Sequence, residues 1–418
     1  LDGATVVKRM ARPSSQRIPL PFFIVSAANF LFFLNFAFFF LLPLWILERG
    51  GGEATVGRVI GVSGLAGLVV LPLVGYLLDR FGRRRFMIVG ALAAALSSAA
   101  YMRIETIGPA LYVLRVVQGI AFTCAFTGAQ TLAVLFAPFS RRAAAIGWFG
   151  ISTILTHAIS PILGEEIIRR WGFDAMFATG AVLGLVAFAL SCTLPRPPEL
   201  AGHADSSAPD PGHARRAVMT ASLAMVCYGV GFGATQTFVP VLMERLDLGR
   251  VGVFFACWSI SAVSVRVLLG GASDRFGRRK VILPAMATMS LAVLMLVFAR
   301  STTGMILVGL TFGSAQGLLY PTMNALVADL SSPHNIGRTQ SLFSGSYSLG
   351  IAGCAFFFGT IVEQYGFGTM YGLAFAITLV GMVTFLMGPR EEVGDTRYEK
   401  KSSTSVLSTE SVKSCPSR

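Results

Sequence analysis

Twelve apolar stretches occupy nearly all of this sequence, at about 18–47, 55–78, 84–102, 108–136, 141–168, 173–194, 217–245, 250–273, 280–300, 303–329, 337–364 and 367–389. A helix needs about 20 apolar residues to cross a hydrocarbon core roughly 30 Å thick. Lipid satisfies no backbone N–H or C=O group, so such stretches cross as helices. Charged residues are only 13% of the 418-residue chain, about half their share in a soluble domain. The predicted fold class is therefore an all-α membrane protein with twelve transmembrane helices, numbered here as spans 1 to 12. A segment rich in Pro, Gly, Ser and charge, 195–216, is too polar to bury a core. It divides the spans into two sets of six, 18–194 and 217–389. Residues 1–17 read as a basic tail and 390–418 as a disordered Ser/Thr/Lys-rich tail. The first apolar run is too long for a signal-peptide core and lacks a small-residue cleavage site.

The net charge of +13 raises the question of nucleic acid, but no polar basic domain exists to bind it. The cations follow the loops instead. With the first tail inside, the inner loops and tails hold Lys and Arg over the outer loops by about three to one. This predicts that both termini are cytoplasmic, with a bacterial inner membrane as the expected location. The six cysteines form no CxxC pair and the four histidines are dispersed, so no metal site and no disulfide framework are indicated. No catalytic constellation or cofactor motif appears, which argues against an enzyme and for no cofactor.

The two sets of spans repeat each other. Gly75-Tyr-Leu-Leu-Asp79-Arg80-Phe81-Gly82-Arg83-Arg84-Arg85 recurs as Gly270-Gly-Ala-Ser-Asp274-Arg275-Phe276-Gly277-Arg278-Arg279-Lys280. Gly150 and Gly164 recur as Gly345 and Gly359, and Trp171-Gly172-Phe173 as Tyr365-Gly366-Phe367. A repeat of about 195 residues across six spans indicates two parallel six-helix bundles.

With its two G-xxx-D-R-x-G-R-R loops, the chain resembles the major facilitator superfamily of transporters over nearly its whole length. Leu111-xxx-Arg115-xx-Gln118-Gly119 is similar to the fourth-span motif of that superfamily's proton-coupled exporters. Ser160-Pro161-Ile162-Leu163-Gly164-Glu165 keeps the Pro and one Gly of the fifth-span exporter motif and replaces two glycines. The resemblance implies a secondary transporter that rocks two bundles about a central path lined by spans 1, 4, 7 and 10.

Topology alone needs positive charge, not an Asp and a Gly at fixed spacing twice, so the loops are assigned a conformational latch. Gly75 and Gly270 would let a neighbouring helix approach closely. Asp79 and Asp274 lie at the negative ends of spans 2 and 8 and want a cation. Asp79 is expected to pair with Arg338 at the start of span 11, and Asp274 with Arg141 or Arg142 at the start of span 5. Asp329 is placed to meet Arg278 or Arg279. Arg80, Gly82, Arg83, Arg84, Arg275 and Gly277 complete the two motifs.

Arg115 lies about 9 Å in from the outer end of span 4 at 1.5 Å per residue. It shares a helical face with Gly119, Phe122, Phe126 and Gln130, which suggests the wall of a wet cavity; snorkelling is the alternative. His157, in the outer half of span 5, is the candidate proton carrier, with Arg115 beside it and Glu165 delivering the proton. The rival is an Arg115 that binds an anionic substrate group and a His157 that merely packs. Asn29, Asn35, Gln118, Gln130, Tyr228, Gln236, Gln316, Tyr320 and Asn324 are candidate cavity residues, against interhelical hydrogen bonding for each. Arg266 pairs with Asp329 or contacts substrate. No Asp or Glu lies mid-membrane in spans 1, 4, 7 or 10, which favours a neutral, zwitterionic or anionic substrate over a cation. The expected function is proton-linked export of a small organic molecule by a monomer. Uptake or facilitated exchange is the near alternative, and a non-transporting receptor or assembly factor the distant one.

Overall fold

The computed structural model describes residues 18–138, 142–196, 211–331 and 336–389, apart from the side chains of Asp79 and of residues 142–144, 211–214 and 336–338. Among these residues the elements are all helical. Nine helices are long and apolar enough to cross a membrane. Two of them, Arg142–Cys192 and Ile336–Met387, bend at glycines with positive φ, Gly172 (80°) and Gly366 (82°). Each therefore carries two spans. Dividing them there, and adding the less apolar helix Arg83–Tyr101, gives twelve helical segments among the described residues.

Span 1 begins as Leu20–Phe38, tightens to a 3-10 turn at Phe39–Leu41 and resumes as Leu42–Glu48. Pro43 has no N–H to return to the preceding turn, which accounts for the change of pitch. Spans 2, 3 and 4 are Glu53–Phe81, Arg83–Tyr101 and Pro109–Phe136. Spans 5 and 6 share Arg142–Cys192. Spans 7 to 10 are Pro211–Arg245, Val251–Leu269, Arg278–Phe298 and Thr302–Asp329, with a short helix Ala272–Phe276 after span 8. Spans 11 and 12 share Ile336–Met387.

Three expected boundaries are corrected. Span 7 already includes Pro211, inside the segment 195–216 assigned to the linker. The breaks expected between spans 5 and 6 and between spans 11 and 12 are single-residue kinks, because Gly alone adopts the required φ at no steric cost.

The duplication is visible in the backbone. Gly82 (φ 92°, ψ 134°) and Gly277 (φ 92°, ψ 144°) adopt one conformation in the two loops. Arg80 lies over the Phe81 ring and Arg275 over the Phe276 ring, at 5.5 and 5.4 Å from the centroids. Spans 1 to 6 pack among themselves, as do spans 7 to 12. The halves meet mainly along span 2 against span 11 and span 5 against span 8.

Candidate functional site

The seam between the halves begins at the end bearing Glu53, Glu165 and Glu363, here the acidic end. The Glu165 carboxylate, on span 5, accepts hydrogen bonds from the Val251 and Gly252 N–H groups at 2.7 and 2.8 Å. These are orphan donors at the N-terminus of span 8, where the helix dipole is positive, so an acid from the opposite half satisfies both charge and bonding. Glu363, on span 11, does the same to span 2, accepting from the Ala54 N–H at 3.1 Å. Arg245 of span 7 pairs with Glu53 of span 2 at 2.7 Å.

Further in, the span 2–span 11 seam runs on small residues. A Cβ added at Gly57 would come within 3.0 Å of the Gly359 Cα, one at Gly61 within 2.9 Å of the Phe356 backbone and one at Gly64 within 2.7 Å of the Ala352 Cβ. Close backbone approach of this kind is what joins helices that have no hydrophobic drive to associate in lipid. On the span 5–span 8 side, Phe40 stacks on Phe255 at 5.4 Å and His157 lies against Trp258 at 5.6 Å. Deeper still, the Arg266 guanidinium of span 8 lies against Gly150 of span 5, where an added Cβ would meet its Nη1 at 2.7 Å.

Nearer the arginine-rich loops the packing loosens at two glycines. A Cβ at Gly147 or at Gly75 would have nothing within 4 Å. At the end bearing the two arginine-rich loops, Arg278 holds Asp274 and Asp329 within the second half.

This geometry revises several expectations. Gly75 is exposed with no close neighbour, and at Gly270 the nearest atom to an added Cβ is the Arg266 carbonyl of its own helix. Neither glycine seats a neighbouring helix in this state. Asp274 pairs with Arg278 of its own loop at 2.6 Å, and Arg278 also reaches Asp329 at 3.1 Å. Arg266 is therefore not the partner of Asp329. Arg141 lies outside the described residues, and the side chains of the other proposed partners, Arg338, Arg142 and Asp79, are likewise not described. Arg84 and Arg279, grouped with the latch, instead clamp helix ends within their own halves. Arg84 donates to the Cys192 carbonyl at the end of span 6, and Arg279 to the Phe385, Leu386, Gly388 and Pro389 carbonyls at the end of span 12. Both arginines meet the orphan carbonyls and negative dipole of a C-terminus.

Arg115 does not line a wet cavity. It is 5% exposed and donates to the Val59 carbonyl at 3.2 Å and to Gln118 Oε1 at 2.8 Å, with the Tyr101 hydroxyl completing the cluster on Gln118. A buried guanidinium keeps its charge when its N–H groups find acceptors, and here a backbone carbonyl and an amide supply them. His157 sits elsewhere, its Nδ1 3.1 Å from the Thr153 carbonyl and its ring among Phe33, Phe40 and Trp258. No hydrogen bond or ion pair joins it to Arg115 among the described residues. Asn35 bonds to Ser98 at 2.9 Å and to the Gly180 carbonyl, and Asn29 donates to Thr153 at 3.0 Å, so both hold the first half together. Gln130 is exposed and Gln236 partly buried.

The candidates of the second half do come together. Tyr228 of span 7 stacks on Tyr347 of span 11 at 5.5 Å, and Tyr320 of span 10 lies 5.2 Å from Tyr347. Gln316 and Asn324 flank Tyr320 on the same helical face. The Tyr228 hydroxyl, Gln316 Oε1 and Asn324 Oδ1 are buried without a hydrogen-bond partner. Tyr347 escaped the sequence reading. So did the helix-capping roles of Glu165 and Glu363, since backbone donors leave no mark in a sequence. The Gly57-xxx-Gly61-xx-Gly64 spacing was a legible signal for the seam.

The family model of the Major Facilitator Superfamily matches residues 24–271 and 221–416, and the chain belongs to that superfamily. It is a multi-pass integral membrane transporter, not an enzyme. It is similar to the staphylopine export protein of Staphylococcus aureus, 22% identical over 83% of this chain and 91% of that protein. It is also similar to the multi-drug resistance efflux pump PmrA of Streptococcus pneumoniae, 22% identical over 79% of this chain and 86% of that one. Among solved structures the nucleoside transporter NupG superposes with a TM-score of 0.72 at 14% identity, over 88% of this chain and 99% of that one.

Proposed function

We propose that the protein exports a small organic molecule in exchange for protons, by alternate opening of its two ends. The observation that supports the reading is the closure of the acidic end, where helix-capping carboxylates and an ion pair join the halves. The excess of Arg and Lys in the loops around Gly82 and Gly277 assigns the other end to the cytoplasm. The state described is then closed to the outside. Export is supported by the fourth-span motif and by relatives named as an export protein and an efflux pump.

Proton coupling is assigned to Glu165 and His157, both at the seam. Glu165 satisfies two backbone donors only as a carboxylate, because a protonated acid surrenders acceptor capacity. When the outer face is open, the acid takes a proton from outside. In the closed state the carboxylate is held by the Val251 and Gly252 N–H groups. His157, about two turns of helix further in, is the proposed acceptor of that proton.

Transport in proteoliposomes with an imposed pH gradient tests this. His157→Gln is expected to lose gradient-driven accumulation and keep downhill exchange. Accumulation that survives in His157→Gln, or that needs no pH gradient in the unaltered protein, defeats the coupling.

A further inference from the structure

We propose that the space beside Arg266 is a carboxylate-binding subsite, so that the transported molecule is an organic anion or zwitterion held between Arg266 and the Tyr228 hydroxyl. The inference rests on the transporter reading and adds the substrate class to it.

Arg266 is a cation inside span 8 with no ion-pair partner among the described residues. Its Nε points at the Gly317 carbonyl from 3.5 Å, the outer limit of a hydrogen bond. A guanidinium carries five donors, so most of its capacity is unspent. An ionisable side chain at membrane depth is retained for a partner or a ligand. Arg115 has its acceptors in the Val59 carbonyl and Gln118 Oε1. Arg266 has no such pair of acceptors among the described residues, and its Nη1 projects into the room left by Gly150 of the opposite half. One turn along span 5, an added Cβ at Gly147 would meet nothing within 4 Å, so span 5 leaves room near the guanidinium.

The surrounding groups suit a carboxylate. The tyrosine ring of residue 228 is 2% exposed and its hydroxyl has no partner. Arg266 reaches span 10 at the Gly317 carbonyl, and Tyr320 of the same span and Tyr228 of span 7 both pack on the Tyr347 ring. An Arg fork with a tyrosine hydroxyl gives charge-assisted, directional donors to one carboxylate. The unpartnered carbonyl oxygens of Gln316 and Asn324 on span 10 accept from hydroxyl or amino groups elsewhere on the ligand. The acids that meet the seam cluster at its acidic end, and Asp274 and Asp329 are spent on Arg278. A cationic ligand would therefore meet uncompensated positive charge.

Equilibrium binding to the purified full-length protein tests this without reference to transport direction or protons. The probes are succinate and glutamate, their dimethyl esters and diamides, and tetraethylammonium, read as shifts in thermal stability. The expected result is stabilisation by a carboxylate and none by its ester, its amide or the cation. Tyr228→Phe should weaken that binding about tenfold and Arg266→Gln about a hundredfold or more, with unliganded melting close to that of the parent protein. Tyr228→Phe, which removes a hydroxyl bonded to nothing, keeps the test informative if Arg266→Gln fails to fold. Stabilisation by esters, amides or the cation alone, no response to any carboxylate, or a carboxylate response unchanged in both variants overturns the assignment. Loss of proton coupling in the flux assay leaves it intact, so the two readings fail separately.

Discussion

The Glu165 carboxylate stands 2.8 Å from the Gly252 N–H, an acid of the first half seated on the first turn of a helix in the second. Glu363 on span 11 repeats the arrangement toward Ala54 on span 2. Spans 5 and 11 are repeat equivalents, and so are spans 2 and 8, although Glu165 and Glu363 are not at equivalent positions. The duplication conserved the solution without conserving the residue: the end of one helix needs an anion, and a neighbour a turn either way can deliver it. Two such clasps, with Arg245–Glu53 beside them, close the acidic end by charge against fixed dipoles.

Glu165→Gln should therefore favour the form open at the acidic end. The substitution keeps the shape and leaves one amide oxygen as acceptor where a carboxylate offered two. Hydrogen bonds to a charged group contribute about 1.5–3 kcal/mol, so the ratio of the two states should move about 10- to 100-fold. Glu363→Gln, with a single bond to lose, should move it less, and the pair of substitutions more than either. Labelling of Ala352→Cys, whose Cβ already faces Gly64 in the span 2–span 11 seam, reads the state. Unchanged labelling in the double variant would mean that the glycine seam alone closes this end.

At the opposite end Asp79→Asn tests the proposed latch to Arg338. If the pair forms when the loop ends close, the variant should insert normally, lose most of its transport and accumulate in the state closed at the acidic end. Charge reversal of both partners should restore part of the activity. Wild-type transport in Asp79→Asn would remove Asp79 from the mechanism.

Arg84→Ala and Arg279→Ala should both lower thermal stability, the second by more. Each removes a cation from a helix C-terminus, but Arg84 serves one carbonyl and Arg279 four. A loss of about 1 kcal/mol is expected for Arg84 and about 2–3 kcal/mol for Arg279. Thermal melting of the purified variants checks the order. Equal melting temperatures for both variants and the parent would assign these arginines to topology alone.

How much of this was legible in the sequence depended on whether the partner of a residue is itself a side chain. Helix positions followed from apolar length, and the repeat from two loops with the same Asp, Gly and Arg spacing. Arg278 and Asp329 are both charged, so their pairing could be anticipated from position in the two loops. Arg115 could not be assigned, because its acceptor is the Val59 carbonyl, and every residue carries a carbonyl. The same holds for Glu165, whose donors are backbone N–H groups. Trp171-Gly172-Phe173 read as a loop between spans because Gly punctuates helices, whereas one positive φ was enough to redirect a helix without interrupting it.

Gly82 and Gly75 share a motif but should respond oppositely to alanine. Gly82 has φ 92° and ψ 134°, a region that costs a side chain about 1–3 kcal/mol. Gly82→Ala should lower thermal stability accordingly, and Gly277→Ala, in the same conformation, by a similar amount. Gly75 is helical, with nothing within 4 Å of an added Cβ. In this state Gly75→Ala should leave stability unchanged or raise it slightly, since Ala favours helix over Gly by about 1 kcal/mol. If the loop ends of spans 2 and 11 approach in the other state, the same methyl group, or better the bulk of Gly75→Leu, obstructs closure there. Transport should then fall while melting does not. A Gly75→Leu protein that transports at the parental rate would show that span 2 keeps its distance throughout the cycle.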